Sequence, residues 1–199
     1  MKYTIMILIL TTLLWFQSCK NEEIDPHVSG EVIAGAINGK PWQNTNLRIG
    51  YSKKCTQSIS FEIVVYNEDR FLREAFGIGK IPLREGSFDI IKHEFTGESV
   101  QSNCLNDSTI NTNTVSASYF TKQDDGHILK DTYIVLSNPK EKNRLTITKL
   151  DLTNNYIEAE FDATFILKLG DDGKKWFADS PDTLRFKGVK FKASIVNLQ

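Results

Sequence analysis

Histidine is nearly absent from this chain, cysteine is scarce, and neither sign of charge prevails. The three histidines are His27, His93 and His127. None has a second His or Cys at ligand spacing, and "KHEF" around His93 lacks the later His that a zinc-protease helix needs. No Gly-x-Ser-x-Gly elbow occurs. Gly77-x-Gly79 is followed by Pro82, which fits neither a dinucleotide nor a phosphate-loop fingerprint. With 24 basic and 25 acidic residues the formal charge is −1, so no electrostatic footprint for nucleic acid exists. These absences lead to an expectation of no enzyme activity, no cofactor and no metal.

An apolar run long enough to span a membrane is also lacking. Residues 1–18 carry one charge, Lys2, then an apolar block from Ile5 to Phe16; a spanning helix needs roughly 20 such residues. A positive start, a short apolar middle and a small residue before a break have the shape of an export signal. Phe16-Gln17-Ser18-Cys19 resembles a bacterial lipobox, in which the signal is cut before the cysteine and the thiol is acylated, with palmitate among the chains. Phe16 and Gln17 depart from the commonest pattern. One fatty chain binds a bilayer only marginally, whereas several hold a protein effectively permanently. Lys20 with Glu22-Glu23 resembles the short signal that sends Bacteroidota lipoproteins to the cell surface. The expectation is a lipid anchor at Cys19 in the outer membrane, facing the cell surface or the periplasm. The alternative is a secreted or periplasmic protein with Cys19 free.

Cysteine parity agrees with the anchor. Three cysteines, Cys19, Cys55 and Cys104, are awkward in an oxidising compartment unless acylation consumes one. Cys55 and Cys104 then remain as a disulfide pair, which would contribute about 4 kcal/mol in the chain-entropy model. Two independent thiols are the plainer alternative. Neither cysteine has Cys-x-x-Cys or other metal spacing.

Beyond a signal over 1–18 and a polar tether over 19–30, residues 31–199 fit one domain. Removing Lys2 leaves 23 basic against 25 acidic residues in the mature chain, a balance of −2. Val32 to Ile37 reads as a strand leading to Asn38-Gly39, a strong hairpin turn, with Trp42 anchoring the return. "SISFEIVVY" from Ser58 alternates Ile59, Phe61, Ile63 and Val65 on one face. A strand is expected from Arg70 to Ile78, another from Ser87, and a polar loop up to residue 114. "VSASYF", "DTYIVLS" and "RLTITKLDL" read as short strands separated by turns.

"YIEAEFDATFILKL", residues 156–169, is the strongest period-two segment. Ile157, Phe161, Phe165 and Leu167 lie on one parity, with Glu158, Glu160 and Asp162 on the other. Such a strand, about 45 Å long, must coil or bulge. From Leu184 to Ile195 the apolar parity changes at Gly188, which marks a bulge. Lys187, Lys190 and Lys192 would face water. The fold class expected is all-β: an antiparallel β-sandwich or a partly closed barrel.

With Cys19 and its acidic follower, "INGKPW" at 37–42, "LTITKLD" at 145–151 and the closing "FKGVKFKASI", the chain resembles Bacteroidota lipoproteins classed as domains of unknown function. The resemblance implies a β-rich domain behind a lipid anchor. It supplies no catalytic residues.

Few residues invite a ligand. Asp124-Asp125-Gly126 and Asp171-Asp172-Gly173 lack EF-hand spacing and read as turn chemistry. Glu158, Glu160 and Asp162 read as a solvated face rather than glycosidase carboxylates. Asp107-Ser108-Thr109 and Asp182-Thr183-Leu184 match a short bacterial O-glycosylation pattern. Trp176-Phe177 stand out, because two adjacent rings on one strand or turn cannot easily both point inward. Exposed rings could stack on a glycan or dock a protein partner; otherwise they roof the core. The leading expectation is a lipid-anchored, non-enzymatic binding or accessory module. A carrier of a small apolar ligand inside a barrel is the alternative, and a hydrolase is a third that rests on no motif.

Overall fold

The computed structural model describes residues 30–42, 45–52, 58–92, 113–170 and 172–198. Cys19, Cys55, Cys104, His27, His93, Asp107-Ser108-Thr109, Asp171 and the signal segment lie outside the described residues. Twelve strands and no helix occur among the described residues. In chain order these are β1 (Gly30–Ile37), β2 (Lys40–Pro41), β3 (Thr45–Ser52), β4 (Ser58–Tyr66), β5 (Leu72–Pro82) and β6 (Gly86–Lys92). Then follow β7 (Thr114–Lys122), β8 (Leu129–Val135), β9 (Arg144–Asp151), β10 (Tyr156–Leu167), β11 (Thr183–Ser194) and β12 (Val196–Leu198).

The all-β expectation holds, and of sandwich and barrel the barrel forms, fully closed. Nine strands make the ring in the order β3-β4-β5-β7-β6-β9-β10-β11-β1, and Gly30 opposite Leu47 joins its two ends. Long strands favour this outcome, because strands of 11 or 12 residues such as β5, β10 and β11 accumulate enough twist to curl a sheet onto itself. Not every ladder is antiparallel: β6 runs parallel to β7 and β12 parallel to β3. The chain between β6 and β7 is long enough for the crossover that a parallel pair requires.

The ring has one seam. β7 and β10 face each other without pairing. Below, the ladder of β6 and β9 fills the space between them, with β6 on Thr114 to Ala117 and β9 on Tyr156 to Asp162. Above, β8 alone bridges Ser118 to Lys122 and Phe165 to Leu167. Strand β10 therefore changes neighbour part-way along, which is how its length is used.

Local chemistry sets the strand ends. Asn38 and Gly39 adopt φ of 50° and 79°, the positive values that a tight hairpin turn requires. β5 starts at Leu72, two residues later than Arg70, because the Asn67 Oδ1 accepts the Phe71 N–H at 2.7 Å and Arg70 sits at φ 65°. At the expected bulge, Lys187 and Gly188 together oppose Asp162, and Gly188 takes φ 57°.

Inward parity packs the interior with rings. Phe76 stacks on Phe161 at 4.7 Å and 6° and meets Phe165 edge-on at 5.7 Å, while Phe61 stacks on Phe76 at 5.9 Å. Phe186 and Phe191 complete the column. All six are buried. An eight-stranded barrel is just filled by side chains, so a ninth strand calls for bulkier residues, and phenylalanine supplies the volume. Trp42 anchors its return as expected: it is buried and packs edge-on against Phe186 at 5.1 Å.

Strand directions define two rims. β1, β4, β7 and β10 run one way, here called upward, and β3, β5, β8, β9 and β11 run downward. The upper rim gathers the turn at 38–39, the β4–β5 turn, the β7–β8 turn and the connection 168–182. Gly30, where the described chain begins, belongs to the lower rim with the turns at 83–85 and 152–155.

Candidate functional site

Three upper-rim connections form one surface. In the β4–β5 turn, Asn67 also donates through Nδ2 to the Asp124 carbonyl at 3.3 Å, which ties it to the β7–β8 turn. There the Asp125 Oδ1 accepts the N–H groups of His127 and Ile128 at 3.0 and 3.3 Å. Those two backbone bonds hold the Asp125 carboxyl below its ordinary range. Gly126 at φ 69° lies so close to Phe71 that an added Cβ would meet the Phe71 Cβ at 2.8 Å, which explains a glycine here on two grounds. Arg73 pairs with Asp124 at 2.6 Å. The first acidic cluster thus closes turns and an ion pair, as the turn reading expected.

The third connection carries Trp176 and Phe177. The Gly170 N–H donates to the Lys174 carbonyl at 3.0 Å and the Asp172 Oδ1 accepts the Lys174 N–H at 3.0 Å, so Asp172 too serves a turn. The two aromatics part company. Phe177 is half-buried with the Lys130 ammonium 5.6 Å above its ring, a cation–π arrangement. Trp176 is 72% exposed, its indole laid over Gly170, where an added Cβ would stand 2.5 Å from Nε1.

A buried anchor holds this connection down. The Ser180 hydroxyl donates to the Asp131 Oδ2 at 2.7 Å, and the Thr121 hydroxyl donates to the same oxygen at 3.3 Å. The Tyr133 hydroxyl donates to the Pro181 carbonyl at 3.2 Å, and Lys130 pairs with Asp179 at 3.1 Å. Glu74, Thr121 and Asp131 are cross-strand neighbours on the inward parity, one layer above Phe76, Tyr119 and Tyr133. Trp42 Nε1 donates to Glu74 at 3.3 Å. Burial first, then the Glu74 and Asp131 charges, push the Tyr119 hydroxyl far above its ordinary range, and burial does the same to Tyr133. Both phenols therefore keep their protons and can donate hydrogen bonds.

Around this anchor the rim exposes apolar side chains: Phe71, Ile128, Leu129, Leu169 and Trp176. Phe71 lies 6.0 Å from the His127 ring. Only Trp176 was legible as a candidate. For Phe71 the signal was Phe71-Leu72, a neighbouring apolar pair at a strand start of which one member must face away from the interior; Ile128 and Leu129 are both exposed, and neither they nor Leu169 left such a signal. Glu158, Glu160 and Asp162 sit on the outer wall, bonded to Tyr156, Lys190 and Lys142. Thr183 of the glycosylation-like triplet is half-buried within β11, opposite Ile166. No group of three or more His, Cys, Asp or Glu placed to hold a metal occurs among the described residues.

Comparison with protein-family models, curated proteins and solved structures finds no match to this chain.

Proposed function

We propose that this protein is a non-enzymatic binding or accessory module, held at the outer membrane by acyl chains on Cys19, that offers its upper rim to a macromolecular partner. One relationship supports this reading above others. The described chain enters at Gly30 on the lower rim, while five of the eight exposed large apolar side chains among the described residues, Phe71, Ile128, Leu129, Leu169 and Trp176, gather at the upper rim; Ile33, Ile91 and Leu152 stand apart from them. A tether leading to Gly30 would turn the lower rim to the bilayer and the apolar crown away from it. Exposed apolar surface of this kind marks interaction sites, and Trp heads the residues that dominate them.

Carriage of an apolar ligand is the second reading, and the stacked rings argue against it. A carrier needs interior volume of several hundred Å³, whereas Phe61, Phe76, Phe161, Phe165, Phe186 and Phe191 touch one another across the barrel axis.

Two measurements test the proposal. Globomycin treatment or Cys19→Ala should change processing and move the protein out of the membrane fraction; unaltered fractionation overturns the anchor. Crosslinking in cells from a photoreactive residue at position 176 should trap a discrete adduct that a residue placed at Lys149, on the lower half of the wall, does not. Equal or absent adducts at both positions overturn the rim as the binding face.

A further inference from the structure

A groove of about 360 Å³ crosses the outer wall where β10 changes neighbour, well below the rim. Backbone geometry makes it. The bulge at Lys187 and Gly188 bends β11 and aims the Gly188 N–H at the Asp162 Oδ1, 2.7 Å away. At the same height β9 begins, with Arg144 opposite Asp162, so the strand wall is interrupted above it. Lys142 of the incoming loop closes that edge by pairing with the Asp162 Oδ2 at 2.9 Å. On the far lip the Ser87 and Thr146 hydroxyls bond across strands at 3.0 Å, and Glu160 lies near Lys190 at 3.7 Å.

We propose that this groove binds a neutral, hydroxyl-rich ligand, one or two sugar units of a glycan chain. Its volume is at the lower end of small-molecule sites. Lys142 and Arg144 balance Glu160 and Asp162, so the lining carries both signs and no net charge. An oxyanion entering it would face two carboxylates, and a metal ion two cations. A hydroxyl both donates and accepts, which matches a lining that alternates ammonium, guanidinium, carboxylate and hydroxyl groups. The Asp162 side chain is only 15% exposed and fixed by two partners, so its position is set before any ligand arrives, which lowers the ordering cost of binding. Lys142 and Arg144 are 69% and 50% exposed and keep N–H groups turned to solvent beside their ion pairs. The groove is open on its outer side, so a longer chain could cross it with only one or two units in contact.

The proposal stands apart from the rim and fails separately. The mature full-length protein, in a detergent without a sugar headgroup, is titrated calorimetrically with maltotriose, cellotriose, mannotriose and N-acetylchitotriose, and with inorganic phosphate and galacturonate as anionic probes. Saturable binding of at least one neutral sugar, with a Kd on the order of 1 mM, is the expected result. Glu160→Gln should weaken it about tenfold, Thr146→Trp should abolish it by filling the groove, and Trp176→Ala should leave it unchanged. Glu160 is solvent-facing, so its variant keeps the test alive should the bulkier substitution disturb folding. The inference is overturned by no heat from any neutral sugar up to about 50 mM, by binding of the anions alone, or by binding that Trp176→Ala removes and Glu160→Gln does not.

Discussion

The side-chain amide of Asn143 takes the place of a strand beside Thr164. Its Oδ1 accepts the Thr164 N–H at 2.7 Å and its Nδ2 donates to the Leu136 carbonyl at 2.8 Å, while the Leu136 N–H donates to the Thr164 carbonyl. Thr164 lies in the interval where β10 has left β9 and not yet met β8. A backbone N–H buried there without a partner would cost about 1 to 3 kcal/mol, and Asn143 supplies that partner. Glu141 completes the junction, accepting the Thr164 hydroxyl at 2.9 Å and pairing with Arg185 at 3.0 Å.

Asn143→Ala should therefore lower the unfolding free energy by about 1 to 3 kcal/mol. Asn143→Leu should do no better, because the missing element is polar. Urea unfolding with the slope held common measures it; a loss below about 0.5 kcal/mol would mean that water or a rearranged loop satisfies Thr164 equally well.

Acid should weaken the fold through carboxylates at two turns and at the β10 junction. Backbone N–H groups hold the Asp125 carboxyl low, Asn154 holds Asp151 low through its side chain and then its backbone, and the Thr164 and Arg185 bonds do the same for Glu141. Each has a folded pKa below its ordinary value of 3.8 or 4.5. Each carboxylate thus contributes stability that is present in full above the ordinary value and is lost as pH falls through the folded one. The thermal midpoint should be flat from neutral pH to about 5 and decline below about 4. Asp125→Asn should flatten part of that decline, and an identical acid profile in the variant would remove Asp125 from the account.

The β10 strand was legible because alternation of Ile157, Phe161 and Phe165 with Glu158, Glu160 and Asp162 is a local property of the chain. The bulge at Gly188 was legible for the same reason. Barrel closure was not, since it rests on one pairing of Gly30 with Leu47 and on the stagger of nine strands, neither of which leaves a local pattern. The parallel pairing of β6 with β7 is hidden likewise, because register between distant segments is set by the whole ring. At the candidate sites, Trp176 could be singled out because its neighbour Phe177 competes for the same inward direction. The groove was not legible: Ser87, Lys142, Asp162 and Gly188 converge only after four strands are aligned.

Ser58 pairs with Pro82, and the Arg84 guanidinium donates to the Asn113 Oδ1 at 2.8 Å, so the described chain resumes on the lower rim after both Cys55 and Cys104. Peptide mapping without reduction should recover the two cysteines linked in one fragment. Reduction should then lower stability by up to about 4 kcal/mol. Recovery of two alkylatable thiols from exported protein would discard the pair.

Phe76 and Trp176 should separate folding from binding. Phe76 is fully buried and meets Phe61, Phe161, Phe165 and Phe186. Truncating it leaves a cavity that the surrounding strands cannot close, since each neighbouring ring is fixed by its own ladder. Phe76→Ala should therefore cost about 3 to 5 kcal/mol. Trp176, at 72% exposure, covers little except Gly170, so Trp176→Ala should shift stability by no more than about 0.5 kcal/mol. If the rim is the binding face, that variant should nonetheless lose partner crosslinking introduced from neighbouring Leu169. Equilibrium unfolding and crosslinking on the same two variants decide the matter: a Trp176 variant as unstable as the Phe76 variant would assign the indole to the fold rather than to recognition.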